Sequence, residues 1–248
     1  MKAARAVSVG TFDGVHLGHR RVLAALLATG LPASVVTFDP HPVTGTPLVS
    51  SLERRLELLV EAGVPDFRVV PPGTHVDVSD ALLVAGPGSA DLPAADVRLV
   101  PLVEGVSSQR VRDFARTGEL AAAARLLGRP FEVEGVVVRG DGRGRGLGFP
   151  TANLDVLEPR LLPPRGVYAG AALGQRAAIS IGVNPQFGGT QLHFEAHVLD
   201  FDGDLYGERL VVEVWERLRD ELVFESVEAL VAAIAADVEQ VRTVVPPL

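Results

Sequence analysis

Residues 5–19 read RAVSVGTFDGVHLGH. Arg5 to Gly10 is a short apolar run of strand type that breaks into a Gly/Asp turn. From Leu17 to Thr29 the apolar positions, including Val22, Leu23, Leu26 and Leu27, recur at helical spacing. A strand, a glycine turn and a helix in that order open an α/β unit. Outward from it, Ala33 to Phe38 reads as a second strand, bounded by Asp39-Pro40-His41-Pro42. Ser50 with Glu53 predicts a capping box for a helix running to about Ala62. Phe67 to Val70, Ala81 to Ala85 and Val97 to Val103 read as further strands, and Ser107-Ser108 starts another helical stretch. Strands alternating with helices predict a parallel sheet of Rossmann-like type.

After Pro130 the texture changes to short strands separated by turns: Phe131 to Arg139, Val167 to Leu173, Ala177 to Val183, Leu192 to Asp200 and Leu210 to Trp215. That spacing predicts a small antiparallel barrel. Ser226 to Arg242 predicts a closing helix with Leu230, Ile234, Val238 and Val241 on one face. The expected fold is therefore α/β plus all-β, with domains over residues 1–128 and 129–248.

Composition narrows the chemistry. The 248 residues are 47% hydrophobic, which suffices for two modest cores. A net charge of −8 argues against a nucleic-acid partner, which favours a basic face. No apolar stretch is long enough for a membrane span, and the N-terminus lacks a secretory apolar core, so a cytoplasmic location is expected. The chain has no cysteine, which excludes disulfides and thiolate chemistry. Lys2 is its only lysine, so neither a P-loop nor a protein-kinase strand lysine exists here. If the chain handles ATP, other groups hold the phosphates.

The first candidate site is the turn itself. A helix N-terminus offers unpaired N–H groups to an anion, at the carboxyl edge of a sheet where such folds bind ligands. His16 and His19 stand three residues apart at that point, and Gly14 and Gly18 let a phosphate approach. Ordinary loop histidines or a metal-binding pair are the alternative reading. The run Gly10 to His19 resembles the His-x-Gly-His nucleotidylyltransferase superfamily. With Thr37-Phe38-Asp39-Pro40-His41-Pro42 it resembles the flavin branch, the bifunctional bacterial riboflavin kinase/FAD synthetases. The resemblance implies that His16 and His19 stabilise ATP phosphates while FMN attacks the α-phosphorus. It also implies that Gly10, Phe12, Asp13, Gly14 and Gly18 share that pocket, and that Phe38 and His41 lie near the flavin. The run Val106 to Arg112 is similar to the family's second phosphate turn, with Ser107, Ser108 and Arg112 kept and Gln109 in place of threonine. Simple helix capping by the two serines is the alternative. Between Leu83 and Val97 the chain has a short Gly/Pro/Ala run where the family carries a glycine-aspartate-phenylalanine loop and a longer helix.

The second candidate site is Gly142-Arg143-Gly144-Arg145-Gly146-Leu147-Gly148-Phe149-Pro150-Thr151-Ala152-Asn153. A glycine-rich turn can wrap phosphates without lysine, and a threonine hydroxyl with an asparagine carbonyl are hard oxygen ligands for Mg²⁺. Taken alone, the glycine run reads more often as a flexible hairpin, with no helix following it. The Phe149 to Asn153 segment behind it resembles the riboflavin kinase signature closely. Matches follow in family order at Gly166 to Ala169, Ile181 to Pro185, Phe194 to Asp200, Asp204 to Gly207, and Arg219-Asp220-Glu221 with Phe224; Gln186 departs from the pattern. The resemblance implies ATP-dependent phosphorylation of riboflavin, with Gly144, Gly146, Gly148 and Pro150 on ATP, Thr151 and Asn153 on Mg²⁺, and Arg219 and Glu221 on the flavin. Glu195 is the candidate general base, since a primary alcohol needs a carboxylate to take its proton. A solvated face residue is the plain alternative for Glu195, and His197 has no assigned role. Asp200, Asp202 and Asp204 lack the glutamate a calcium loop needs.

The expected function is riboflavin phosphorylation to FMN followed by adenylylation of FMN to FAD. The alternatives are a kinase with an inert front domain, or a regulator that binds flavin or nucleotide without turnover. Riboflavin, FMN and ATP are the expected partners, and the sequence does not set an oligomeric state.

Overall fold

A computed structural model describes residues 3–86, 92–140, 142–156, 161–183 and 192–248. Lys2, Asp141, the Asn184-Pro185-Gln186 run and much of the short segment after Ala85 lie outside the described residues. The chain divides into two compact units, Met1–Val111 and Arg112–Leu248. Within the second unit the helix Leu120–Leu127 (α4) packs on the barrel strands described below.

In the first unit, strands β1 (Arg5–Val9), β2 (Ala33–Phe38), β3 (Phe67–Val70), β4 (Val78–Ala85) and β5 (Ala94–Leu99) form one five-stranded sheet in the order β3-β2-β1-β4-β5. Every pairing is parallel. Strands buried on both faces need apolar side chains on both, which is why β1 and β4 read as near-continuous apolar runs. Helices α1 (Leu17–Leu27) and α2 (Leu52–Glu61) bury Leu23, Leu26, Leu58 and Leu59 against one face, with Ala6 and Val35. The strand order reverses at β1, with β2 on one side and β4 on the other, so the crevice beyond its carboxyl end is the ligand position of an open α/β sheet. The turn Gly10–His19 occupies that end. The capping box expected from Ser50 shifts by one residue: Ser51 accepts from the Arg54 N–H and caps α2, which frees Ser50 for the turn.

In the second unit, β6 (Phe131–Val138), β7 (Ala152–Asp155), β8 (Gly166–Ala172), β9 (Gln175–Val183), β10 (Leu192–Val198) and β11 (Arg209–Arg219) close into a barrel in the order β10-β7-β6-β11-β8-β9. All six pairings are antiparallel. The two-residue alternation sends Phe131, Val133, Ala152, Leu154, Phe194 and Ala196 into the core and leaves Asn153, Glu195 and His197 half-buried on the outside. Burying each of the two phenylalanines contributes about 1.5–3 kcal/mol. The terminal helix α6 (Val227–Thr243) packs on β8 and β9. Arg176 donates to the carbonyls of Val241 and Val244 at its end, both at 2.7 Å.

Candidate active sites

The first site is built on the strained turn after β1. Phe12 and Val15 have φ of 50° and 38°, a region costly for a side chain with a Cβ and most of all for a β-branched one. Such strain persists only where surroundings over-determine it. Here the buried Asp13 carboxylate accepts from the Val49 and Ser50 N–H groups at 3.0 and 3.1 Å, and Ser50 Oγ accepts from the Gly14 N–H at 3.0 Å. Asp13 therefore braces the turn through its side chain. Its backbone carbonyl accepts from Ser108 Oγ at 2.9 Å, which joins the start of helix α3 (Ser108–Thr117) to the turn.

His16 caps α1, with Nδ1 accepting from the His19 N–H at 3.2 Å. A nitrogen that accepts carries a lone pair, so the neutral ring bears its proton on Nε2 and presents it as a donor. Gly18 makes room for this ring, since a Cβ there would lie 3.0 Å from His16 Cε1. The imidazoles of His16 and His19 stack at 3.7 Å with an interplanar angle of 11°, and Phe12 lies against His19 at 5.2 Å. Burial, with the nearby His16 and Arg55, holds the His19 pKa well below the ordinary histidine value. His19 is thus neutral at physiological pH. Backbone N–H groups at a helix start with two imidazoles form a donor array suited to a polyphosphate.

The remaining expected residues of this unit are less alike. Ser107 Oγ accepts from the Arg110 N–H at 3.2 Å and caps α3, so its hydroxyl serves the helix, while Ser108 serves the turn. Arg112 is buried one turn along α3, on the second-unit side of the division. Phe38 ends β2 half-buried, and His41 Nδ1 accepts from the Val43 N–H at 3.1 Å in the loop beyond.

The second site lies on the outer face of the barrel. The glycine run is itself a single helical turn, α5 (Arg143–Gly146), and the strand β7 follows it. Phe149 N–H donates to the Gly144 carbonyl at 2.8 Å and closes the turn. A Cβ at Gly144 would collide with the Phe149 carbonyl and press on Thr151 Oγ1, and one at Gly140 would collide with the Asn153 amide. Glycine at these positions is what lets Thr151 and Asn153 sit where they do. Gly148 has φ of 88°, which turns the chain into Phe149-Pro150.

Asn153 on β7 stands directly opposite Glu195 on β10, and Thr151 Oγ1 donates to Glu195 Oε2 at 3.3 Å. With its proton directed to the carboxylate, the threonine oxygen keeps its lone pairs for another partner. A threonine oxygen, an asparagine carbonyl and a carboxylate on one face fit the hard-oxygen donor set that Mg²⁺ takes with few protein ligands. His197, unassigned from sequence, lies on the same face. Its Nδ1 is hydrogen-bonded to the Pro150 carbonyl at 2.7 Å, and its ring meets Phe149 edge-on at 5.6 Å. It fixes the segment that delivers Thr151.

Arg219, expected on the flavin, reaches across to α6. Its guanidinium pairs side-on with buried Asp237 of α6, at 2.9 Å from Nε and 2.7 Å from Nη2, and Nη1 donates to the Asp220 carbonyl. Glu221 is exposed and its carboxylate lies across Gly182, where a Cβ would collide with it. Sequence reasoning missed Ser50, Thr37, His197 and Arg55. For Arg55 a signal existed: it falls in the same helical stripe as Leu58 and Leu59.

A riboflavin kinase family model matches residues 127–245, and an FAD synthetase family model matches residues 1–74. A protein of Listeria monocytogenes named bifunctional riboflavin kinase/FMN adenylyltransferase is 34% identical over 96% of this chain and 91% of its own length. One of the same name from Pseudomonas fluorescens is 34% identical over 97% and 93%. A crystal structure described as a macrolide-efflux protein from Streptococcus pneumoniae superposes with a TM-score of 0.83 at 29% identity, over 99% of this chain and 96% of that one. That description belongs to the other protein; among the described residues here, no helix is long and apolar enough to cross a membrane. By sequence and by both family models, the chain belongs to the bifunctional riboflavin kinase/FMN adenylyltransferase family.

Proposed function

We propose that the barrel unit phosphorylates riboflavin to FMN and that the sheet unit adenylylates FMN to FAD, each with ATP, in the cytoplasm. The observation that carries the kinase reading is the outer-face cluster of Thr151, Asn153 and Glu195 beside a glycine turn. Glu195 takes the proton of the ribityl terminal hydroxyl as that oxygen bonds to the γ-phosphorus. The bridging P–O bond breaks and ADP leaves. Thr151 and Asn153 would hold Mg²⁺, which would neutralise triphosphate charge. The N–H groups at the start of the turn, residues 143–146, bind phosphate oxygens in place of a P-loop lysine.

For adenylyl transfer, an FMN phosphate oxygen bonds to the α-phosphorus of ATP and pyrophosphate leaves. No proton need move. What the site supplies is donors aimed at charge building on the phosphates: His16 Nε2–H, the N–H groups at the start of α1, and His19. The stacked histidines at that helix start support this reading. Phe38 and His41, at the next strand end, line the flavin side. The short β4–β5 connection favours a second reading, a kinase whose front unit is inert.

Incubation with riboflavin, ATP and Mg²⁺, with all flavins separated and quantified, tests both halves. FMN and FAD are expected. Absence of FMN removes the kinase reading, and absence of FAD from supplied FMN leaves the second reading.

A further inference from the structure

Arg55 is fully buried on α2, yet its guanidinium is only partly paired. Nη1 donates to the Phe38 carbonyl at 2.8 Å and to Thr37 Oγ1 at 3.3 Å. Thr37 in turn donates to the Thr11 carbonyl at 3.0 Å. One nitrogen of Arg55 thereby ties the end of β2 to the turn that follows β1. Its Nε and Nη2, the side-on face that usually grips a carboxylate or phosphate, are buried without a hydrogen-bond partner among the described residues. His19 Nδ1 is in the same state.

Burying an arginine with half its donors unmet is costly, and nothing in packing requires it, since a methionine fills a similar volume. Having no exposed surface, Arg55 does not touch substrate and acts through its neighbours. Asp13, Asp39 and Glu53 act on this cation only from a distance, with no contacting carboxylate, so in a low-dielectric interior part of its field extends further than that of a surface lysine. That field reaches the phosphate-binding turn of a chain with a single lysine.

We propose that Arg55 is a positioning residue for adenylyl transfer: it fixes the ends of β1 and β2 that carry the turn, and it supplies the buried positive potential beneath His16 and His19. The inference rests on the adenylyl-transfer reading above. The charged groups around His19 are few. His16 stacks on it, and Arg55 acts from α2. Arg20, next along α1, bonds the Val15 carbonyl. The Asp13 carboxylate is turned to the Val49 and Ser50 amides. Arg55 and His16 are the groups that hold His19 neutral beyond the effect of burial.

The test compares Arg55→Met and Arg55→Lys with the unaltered full-length protein, by histidine NMR titration and by flavin assay. In Arg55→Met, the His19 titration rises toward the ordinary value, and FAD formation from supplied FMN falls by about tenfold or more. FMN formation by the barrel stays unchanged. Arg55→Lys keeps the charge, so the depressed titration persists and FAD formation stays within about threefold. An unmoved His19 titration in Arg55→Met, or equal loss of FAD formation in both variants, overturns the proposal. Should Arg55→Met fail to fold, Arg55→Lys decides: a His19 titration at the ordinary value there overturns it. If the unaltered protein makes no FAD, the adenylyl-transfer reading fails. The NMR comparison then still measures the field of Arg55 separately.

Discussion

Glu195 of β10 and Asn153 of β7 are direct cross-strand partners on the outer face of the barrel, and Thr151 bonds the same carboxylate. Directly opposed residues of an antiparallel pair hold their Cβ atoms about 5 Å apart, so backbone register alone brings the groups together. Register also protects the arrangement. A one-residue slip of β10 turns Glu195 into the apolar core and expels Phe194 and Ala196 from it, which burial forbids.

Replacing Glu195 with glutamine therefore removes the base and keeps the shape. Glu195→Gln is expected to lower FMN formation by about 10²–10⁴-fold. FAD formation from supplied FMN persists, because that chemistry lies in the other unit. Chromatographic flavin analysis reads both rates, and unaltered FMN formation excludes Glu195 as the base.

The glycine turn makes a paired prediction. Gly144→Ala drives a Cβ into the Phe149 carbonyl and against Thr151, so FMN formation falls by at least about tenfold as Thr151 shifts. A Cβ at Gly146 meets nothing within 4 Å and sits in a helical turn, where alanine is favourable. Gly146→Ala leaves urea stability intact. A rise in KM for ATP in that variant locates the phosphates against Gly146, and an unchanged KM places them elsewhere.

Much of this arrangement is legible in the sequence. The stretch from Arg5 announces its strand, turn and helix because a short apolar run gives way, across a Gly/Asp turn, to apolar positions at helical spacing through Leu27. The barrel was legible in outline, but β7 was not. Ala152–Asp155 is four residues long with no β-branched side chain, and its strand state comes from pairing with β6 and β10. Asn153 was found by motif and could not be placed beside Glu195 by pattern. The Arg219–Asp237 pairing was not legible, because a guanidinium in a motif looks the same whether or not it grips an aspartate eighteen residues away. Asp13 is similar: its carboxylate braces the turn through the Val49 and Ser50 amides, a tertiary contact that no local pattern encodes.

The Arg219–Asp237 pair separates a structural role from a ligand-binding one. The two side chains are 22% and 7% exposed, so removing the cation strands a buried carboxylate. Arg219→Met is expected to cost about 3 kcal/mol in urea unfolding, with the riboflavin KM unchanged in the folded protein. Undiminished stability with a raised riboflavin KM returns Arg219 to the flavin site.

His19 also predicts how stability depends on pH. Burial, with His16 and Arg55, holds its folded pKa well below the unfolded value of 6.5. Between those two values the unfolded chain binds a proton that the folded chain refuses. More protons on the unfolded state means that stability rises with pH through this window and levels off above the unfolded value. Conversely, the first unit loses stability as pH falls below about 6.5, with a limiting slope of about 1.4 kcal/mol per pH unit from this group. Urea midpoints followed by tryptophan fluorescence do not report on the first unit, because Trp215 lies in the barrel. Hydrogen exchange of β1 and β2 amides does. Those amides are expected to lose protection from about pH 7 to pH 5, and His19→Gln removes most of that loss by leaving nothing to titrate. An unchanged loss in His19→Gln assigns the pH dependence to another group in the unit.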